Sequence, residues 1–271
     1  MLGQCWWITG ASSGIGAALA RALAGEGARL VLSGRNVAAL EAVAADCGDT
    51  LILPFEATAT AGLPALVEQA WHWAGRIDGI VNNAGISQRS LAVDTDLAVY
   101  ERIIAVDLLA PIAFAQANLA RMLAAGGGQI IAVSSVAGLA GVPLRTAYCA
   151  AKHGVVGYHD ALRAENEHFG LKILVVCPGS VATNVSRNAL NADGSVRGVS
   201  DAAIDNGIRP EEAARQMIAA VKAGTRELII AEGMEAQIPA LRRADPDALF
   251  DRMSAMVQAG YAATMAAEPA A

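Results

Sequence analysis

Aromatic residues make up only 4% of this chain: four Trp, four Tyr and four Phe among 271 residues. That is too few for a platform of stacked bases. Cations are scarce as well, with 20 Lys and Arg against 26 Asp and Glu and a formal net charge of −6. No basic surplus exists to hold a phosphate backbone, so a nucleic-acid partner is not expected. Charged residues of both signs reach just 17% against 54% hydrophobic ones, the reverse of a disordered composition. Cys5, Cys47, Cys149 and Cys177 follow no CxxC or Cys/His ligand spacing. Reduced, buried thiols are therefore expected, with no metal site. Unbroken apolar spans are missing too. Residues 1–20 and 122–144 carry no charge, yet Gln4, Thr9, Ser12 and Ser13 interrupt the first and Gly126–Gly128, Ser134, Ser135 and Pro143 the second. A bilayer demands about 20 consecutive apolar residues, and the first stretch lacks the basic start of a signal peptide. A cytoplasmic protein with no membrane partner is the expectation.

What the chain does contain is an alternation of short apolar runs and longer Ala-rich helical patterns. The runs predict strands at Cys5–Ile8, Arg29–Ser33, Thr50–Phe55, Gly79–Val81, Gln129–Ser134, Lys172–Cys177 and Glu227–Ala231. Leu30-Val31-Leu32, Ile130-Ile131-Ala132-Val133 and Ile173-Leu174-Val175-Val176 are apolar without alternation, as parallel strands covered on both faces should be. Helices are predicted at about 14–25, 36–46, 63–74, 96–124, 147–168 and 210–223, with Asn36 as an N-cap and Pro210 in a first turn. The pattern implies an α/β fold, one doubly wound parallel sheet of about seven strands with helices on both faces. No linker divides it, so residues 1–271 are read as a single domain. Residues 184–209 are polar and weakly periodic, a loop long enough to be functional. Residues 235–266 are read as a helical extension in which Leu249, Phe250, Met253, Met256, Val257 and Tyr261 recur at helical spacing. Such a helix docks on the core or, alternatively, covers a pocket or a partner subunit.

Three constellations carry chemistry. Thr9-Gly10-Ala11-Ser12-Ser13-Gly14-Ile15-Gly16 lies between the first strand and the first helix. Glycines there bring bare N–H groups up to a phosphate, and the helix dipole adds partial positive charge. The second strand ends in Gly34-Arg35, with no carboxylate for a free ribose 2′-hydroxyl. The Arg35 guanidinium suits a 2′-phosphate instead, which favours NADP(H) and leaves NAD(H) possible. Tyr148 and Lys152 stand four residues apart and share a helix face. A neighbouring ammonium lowers a phenol's pKa from near 10 and makes it a usable acid–base. Ser135 ends the fifth strand, where strand termini face the ligand crevice.

Taken together these residues resemble the short-chain dehydrogenase/reductase family and its Rossmann-type domain. The matching pieces are TGxxxGxG at 9–16, Asn82-Asn83-Ala84-Gly85, Ser135, YxxxK at 148–152 and Pro178-Gly179-Ser180-Val181-Ala182-Thr183. The sequence around Ser135–Gly138 and Tyr148–Gly157 looks most like the branch containing dehydrogenase/reductase family member 7-type proteins. The resemblance implies Tyr148 as the acid–base, Lys152 on the nicotinamide ribose and Ser135 polarising a carbonyl. It implies Asn83, Ala84 and Gly85 on the adenosine ribose, and Pro178, Gly179, Val181 and Thr183 at the carboxamide. Hydride would pass between NADP(H) and a carbonyl or alcohol substrate, with no metal. Two departures stand out. Asp107 occupies the place of the family's fourth catalytic member, an Asn whose useful contact is mainly a backbone carbonyl; if ionised, Asp107 pairs with Lys152. Glu56 replaces the usual Asp near the adenine.

His72, His153, His159 and His168 are read as surface or partly buried imidazoles, Cys149 as inert, and Arg145 as a solvated loop residue that could alternatively meet an acidic substrate. The substrate wall is expected from Val136–Leu144, Tyr148, Gly179-Ser180 and residues 184–209, and its apolar members suit a hydrophobic carbonyl compound. A 3-oxoacyl thioester reductase and a non-catalytic NADP(H)-binding sensor are the competing readings. The resemblance also implies a homodimer or homotetramer formed through the 96–124 and 147–168 helices.

Overall fold

A computed structural model describes residues 1–263. Seven strands form one parallel sheet: β1 Cys5–Thr9, β2 Arg29–Ser33, β3 Thr50–Ile52, β4 Gly79–Asn82, β5 Gly128–Val133, β6 Leu171–Pro178 and β7 Glu227–Ile230. Their order is β3-β2-β1-β4-β5-β6-β7. All six pairings are parallel, with Trp7 opposite Val31 and Ile80 in the centre. The doubly wound sheet expected from the apolar runs is the one observed.

The runs are apolar throughout because successive side chains enter opposite layers. Trp6, Ile8, Leu30, Leu32, Leu174 and Val176 pack on one face, with helices α1 Gly14–Gly25 and α8 Pro210–Ala223. Trp7, Val31, Ile80, Ile130, Ile173 and Val175 fill the other, with α3 Leu63–Ala74 and α5 Ala110–Ala124. Helix α2 Val37–Ala45 opens on the Asn36 side chain, which accepts the Ala39 N–H at 3.1 Å. Pro210 stands in the first turn of α8, as expected.

The expected 96–124 helix is three pieces in one continuous run: α4 Leu97–Ile104, a π-helical turn Ala105–Leu109 and α5. Pro111 explains the interruption. It has no N–H, so the α-helical bond to the Asp107 carbonyl cannot form, and the helix widens there. Leu97–Ala124 is the one run among the described residues long and apolar enough to cross a bilayer, at 28 residues and mean hydropathy 1.7. Its inner side packs Phe114, Ala115 and Met122 onto the sheet, with Asp107 buried at its middle.

Helix α6 Thr146–Asn166 carries Tyr148 and Lys152. The 184–209 segment is held by bridges of Leu190 to Gln88 and Val196 and of Val181 to Ile208, and contains the short α7 Ala202–Asp205. The C-terminal extension is two helices, α9 Gly233–Ala244 and α10 Pro246–Gln258. Ile238 and Leu249 dock on Val136 and Ala140, which is the core-docked arrangement. Residues 264–266 of the expected extension lie outside the described residues.

Candidate active site

The strand order reverses between β1 and β4, and a crevice opens at such a switch point beyond the strands' carboxyl ends. Thr9 locks its two sides. Its hydroxyl donates to the Val81 carbonyl at 2.9 Å and accepts the N–H groups of Asn83 at 3.0 Å and Ala84 at 3.2 Å. The Asn83 amide donates back to the carbonyls of Thr9 and Gly10 at 3.0 and 3.2 Å. This interlock leaves no room for a side chain at Gly10, whose φ is +65° and whose Cβ would lie 2.8 Å from Asn83 Nδ2. A Cβ on Gly16 would collide with the Gly10 carbonyl and the Asn83 amide. Gly16 thus packs the loop and does not line the cleft.

Helix α1 begins uncapped. The Ser13 side chain makes no cap bond, and the first intrahelical bond is from Ala17 N–H to the Ser13 carbonyl. A twelve-residue helix whose first N–H groups face a cleft fits an anionic diphosphate. The cleft has a volume of about 530 Å³. Gly10, Ser12, Ser13, Gly14 and Ile15 line one part of it, and Asn83, Ala84 and Gly85 another. Ser135, Tyr148, Lys152 and Asp107 line it together with Pro178, Gly179, Val181 and Thr183. Arg35 and Glu56 also line it and face each other as an exposed ion pair at 3.6 Å. Every expected site residue except Gly16 therefore borders one cavity.

At its inner end, Ser135 Oγ accepts the Ala137 N–H at 3.1 Å and donates to the Pro178 carbonyl at 3.2 Å. Lys152 Nζ donates to the Val133 carbonyl at 3.2 Å and lies 5.5 Å from the Tyr148 ring centre. It is also 3.2 Å from Asp107 Oδ2, while Asp107 Oδ1 accepts the Ile86 N–H at 2.8 Å. Asp107 is 0% exposed and Lys152 4%. Burial pushes the Asp107 carboxyl up, against the pull of Lys152 and the Ile86 N–H. Burial also opposes the Lys152 charge, but Asp107 and Tyr148 outweigh it and hold the ammonium above its usual value. The two shifts compete for one proton. At 3.2 Å the carboxyl and the ammonium share one buried contact, each shifting the other's proton affinity. Its angle is not that of a hydrogen bond, so Oδ2 has no hydrogen-bond partner.

The short chain dehydrogenase family profile matches residues 4–194. The chain belongs to the short-chain dehydrogenase/reductase family. It is 34% identical to dehydrogenase/reductase SDR family member 7B of Bos taurus, over 91% of this chain and 79% of that one. It is 40% identical to dehydrogenase/reductase SDR family member 7 of Homo sapiens, over 68% of this chain and 57% of that one. Its fold matches the alcohol dehydrogenase of the archaeon Thermococcus sibiricus, solved with 5-hydroxy-NADP, at a TM-score of 0.73 and 23% identity over 84% of this chain and 96% of that one. As a short-chain dehydrogenase/reductase the chain is an oxidoreductase that binds a nicotinamide cofactor, NAD or NADP.

Several short-chain dehydrogenase/reductase expectations need correction. None of residues 136–144 lines the cleft. Val136 is buried under α9 and α10, Leu139 packs against the sheet core, and Leu144 is buried. Of the apolar side chains expected to face substrate, the docked extension covers Val136. Ile86, Val106, Val185 and Ile204 supply apolar lining instead, beside the polar Asn184 and Asn188. His159 is no surface imidazole: it is fully buried and neutral, held down to about 4 by burial. Arg145 is no solvated loop residue. It lies 3.4 Å from Asp201, which also pairs with Arg89 and Arg197.

Two positioning groups had no local signal. The Gln88 side chain accepts the Ala147 N–H at 2.9 Å and so caps α6 one residue before Tyr148. Glu235 accepts the Ser180 N–H at 2.6 Å and its hydroxyl at 2.9 Å, pinning the Pro178–Thr183 loop. A Cβ on Gly179 would run into that carboxylate and come within 3.0 Å of the Ala231 Cβ, so a side chain there would displace Glu235 from Ser180. All four cysteines are free and buried, and no group of metal ligands occurs among the described residues.

Proposed function

We propose that this protein is an NADP(H)-dependent dehydrogenase/reductase of a carbonyl or alcohol substrate, with Tyr148 as general acid–base. The observation that carries the reading is the convergence of Ser135, Tyr148 and Lys152 on the cavity that the glycine loop also lines. When bound, the nicotinamide supplies or accepts the hydride. The chain's own residues do the rest. The uncapped start of α1 and the loop Ser12–Ile15 hold the diphosphate; Asn83, Ala84 and Gly85 hold the adenosine ribose. Pro178, Gly179, Val181 and Thr183, steadied by Glu235, orient the carboxamide. Ser135 turns its proton from the Pro178 carbonyl to the substrate oxygen. Tyr148 gives that oxygen a proton in reduction and takes it back in oxidation. Assays of reduced-nicotinamide absorbance over a panel of ketones, aldehydes and 3-oxoacyl thioesters test this; cofactor binding without turnover across the panel would instead favour a sensor. The apolar lining from Ile86, Val106, Val185 and Ile204 supports a hydrophobic substrate.

The preference for NADP(H) rests on Arg35, on the missing carboxylate at Gly34, and on Ser12. Its hydroxyl would lie 3.4 Å from a Cβ at Gly34, at the rim where a 2′-phosphate would sit. Arg35→Ala is expected to raise the Michaelis constant for NADPH by roughly tenfold, one exposed charge-assisted contact, and to leave NADH nearly unchanged. Equal effects on both would sink the assignment. Free cysteines support a cytoplasmic setting. The partly exposed Leu108, Leu109 and Ile112 of the α5 entry and Val156 and Tyr158 of α6 support assembly through these helices into a dimer or tetramer. Sedimentation at micromolar concentration is expected to give a dimer or larger; a monomer would contradict the assembly.

A further inference from the structure

Position 107 carries a carboxyl where the family's pattern has an amide, and the geometry places it against the Lys152 ammonium. Asp107 Oδ2 lies 3.2 Å from Lys152 Nζ, inside the protein, while its other oxygen takes the Ile86 N–H. Lys152 is in turn the cation over the Tyr148 ring. We propose that Asp107 is a positioning residue that offsets the Lys152 field at the Tyr148 phenol, favouring its protonated form and so setting the site for carbonyl reduction over alcohol oxidation. The proposal rests on Tyr148 being the acid–base.

The surroundings leave Asp107 as the counter-charge that matters. From β6, Cys177 is a buried thiol pushed up to about 12 and stays neutral. On α6 itself, His159 is neutral at working pH. Arg145, three residues before Tyr148, is committed to Asp201. From β5 come the Val133 carbonyl and the hydroxyls of Ser134 and Ser135, none of them charged. From α4 and the loops, Val99, Ile103 and Leu190 form an apolar cluster against Tyr148, while Arg102 of α4, which also lines the cleft, is exposed and screened by solvent. Arg35 and Glu56, which share the cleft, are paired with each other. An ammonium with a carboxylate in contact projects a dipole rather than a full charge, and a dipole fades faster with distance. In reduction the hydride goes to the carbonyl carbon and the Tyr148 proton to its oxygen; the tyrosinate left behind regains a proton from solvent. Oxidation must start from the tyrosinate, which the offset disfavours.

Asp107→Asn separates this role from a structural one. The amide oxygen can still accept the Ile86 N–H and the volume is nearly unchanged; the charge is lost and the amide nitrogen, a donor, takes the place of Oδ2 beside Lys152. The readout is tyrosinate absorbance against pH in the cofactor-free protein. Tyr100, Tyr148, Tyr158 and Tyr261 are the four tyrosines, and Tyr148→Phe in each background identifies the relevant one. Asp107→Asn is expected to move the Tyr148 titration down by about one pH unit or more and to move the ascending, acid-side limb of the alcohol-oxidation pH profile down with it. An unmoved or raised titration would overturn the proposal. Asp107→Ser, which also removes the charge, must move the titration the same way; opposite shifts would also overturn it. Because the titration needs no turnover, its outcome is independent of whether a carbonyl substrate is found.

Discussion

Tyr148→Phe is expected to lower the turnover of any substrate this protein reduces by roughly 10²–10⁴-fold, the usual worth of a positioned acid–base. The loss should fall on the chemical step. The glycine loop, the uncapped α1 terminus and the Pro178–Thr183 loop do not depend on the phenol's oxygen, so binding of reduced nicotinamide, followed by its fluorescence, should persist. Phe keeps the ring that packs in the apolar cluster with Val99, Ile103 and Leu190. A variant that folds, binds and turns over at the wild-type rate would remove Tyr148 from the mechanism.

Asp201→Ala is expected to cost about 3–5 kcal/mol of stability, because it strips the counter-charge from a buried cluster. Asp201 accepts the Arg89 Nε–H at 2.7 Å, with side chains only 2% and 4% exposed, and it also pairs with Arg197 and with Arg145 at 3.4 Å. Removing it takes the shared carboxylate from Arg89, Arg145 and Arg197, whose side chains are largely buried. For a chain of this length the thermal midpoint should fall by roughly 5–10 °C. Burial works against the Asp201 charge, but Arg89 and Arg197 outweigh it and hold the carboxyl below its ordinary value. Its contribution is thus present above the ordinary carboxylate pKa and is lost as pH falls through the lower folded value. The cluster ties the 184–209 segment to Arg145 at the start of α6, so the variant should also accelerate proteolysis within that segment. A midpoint within about 1 °C of the wild type would show the cluster to be an incidental surface feature.

Local pattern reached far into this molecule. The two-sided apolar runs such as Leu30-Val31-Leu32 gave strands whose neighbours enter opposite layers, and Asn36 and Pro210 marked helix starts that hold. The residues of one loop or one helix face, Gly10–Gly16 and Tyr148 with Lys152, were legible because their spacing is itself the chemistry. Pairings across the chain were not. Arg89 and Asp201 are 112 residues apart, Ser180 and Glu235 55 apart, and Ala147 and Gln88 59 apart. Nothing local distinguishes such side chains from solvated ones. The wall expected from Val136–Leu144 failed for a related reason: its apolarity was read correctly, but Val136 and Ala140 meet α9 and α10, more than ninety residues later, and Leu139 meets the sheet core. The π-helical turn at 105–109 had a visible cause in Pro111, whose effect on the Asp107 carbonyl follows from proline chemistry alone.

In the proposed enzyme, Tyr148, Lys152 and Ser135 stand around a nicotinamide held by the glycine loop. A crystal structure with bound NADP(H) tests it most directly. The diphosphate is expected at Ser12–Ile15, Arg35 against the 2′-phosphate, and the nicotinamide between the Pro178–Thr183 loop and the Tyr148 hydroxyl. A cofactor seated elsewhere, or a Tyr148 hydroxyl turned away from the nicotinamide, would contradict it.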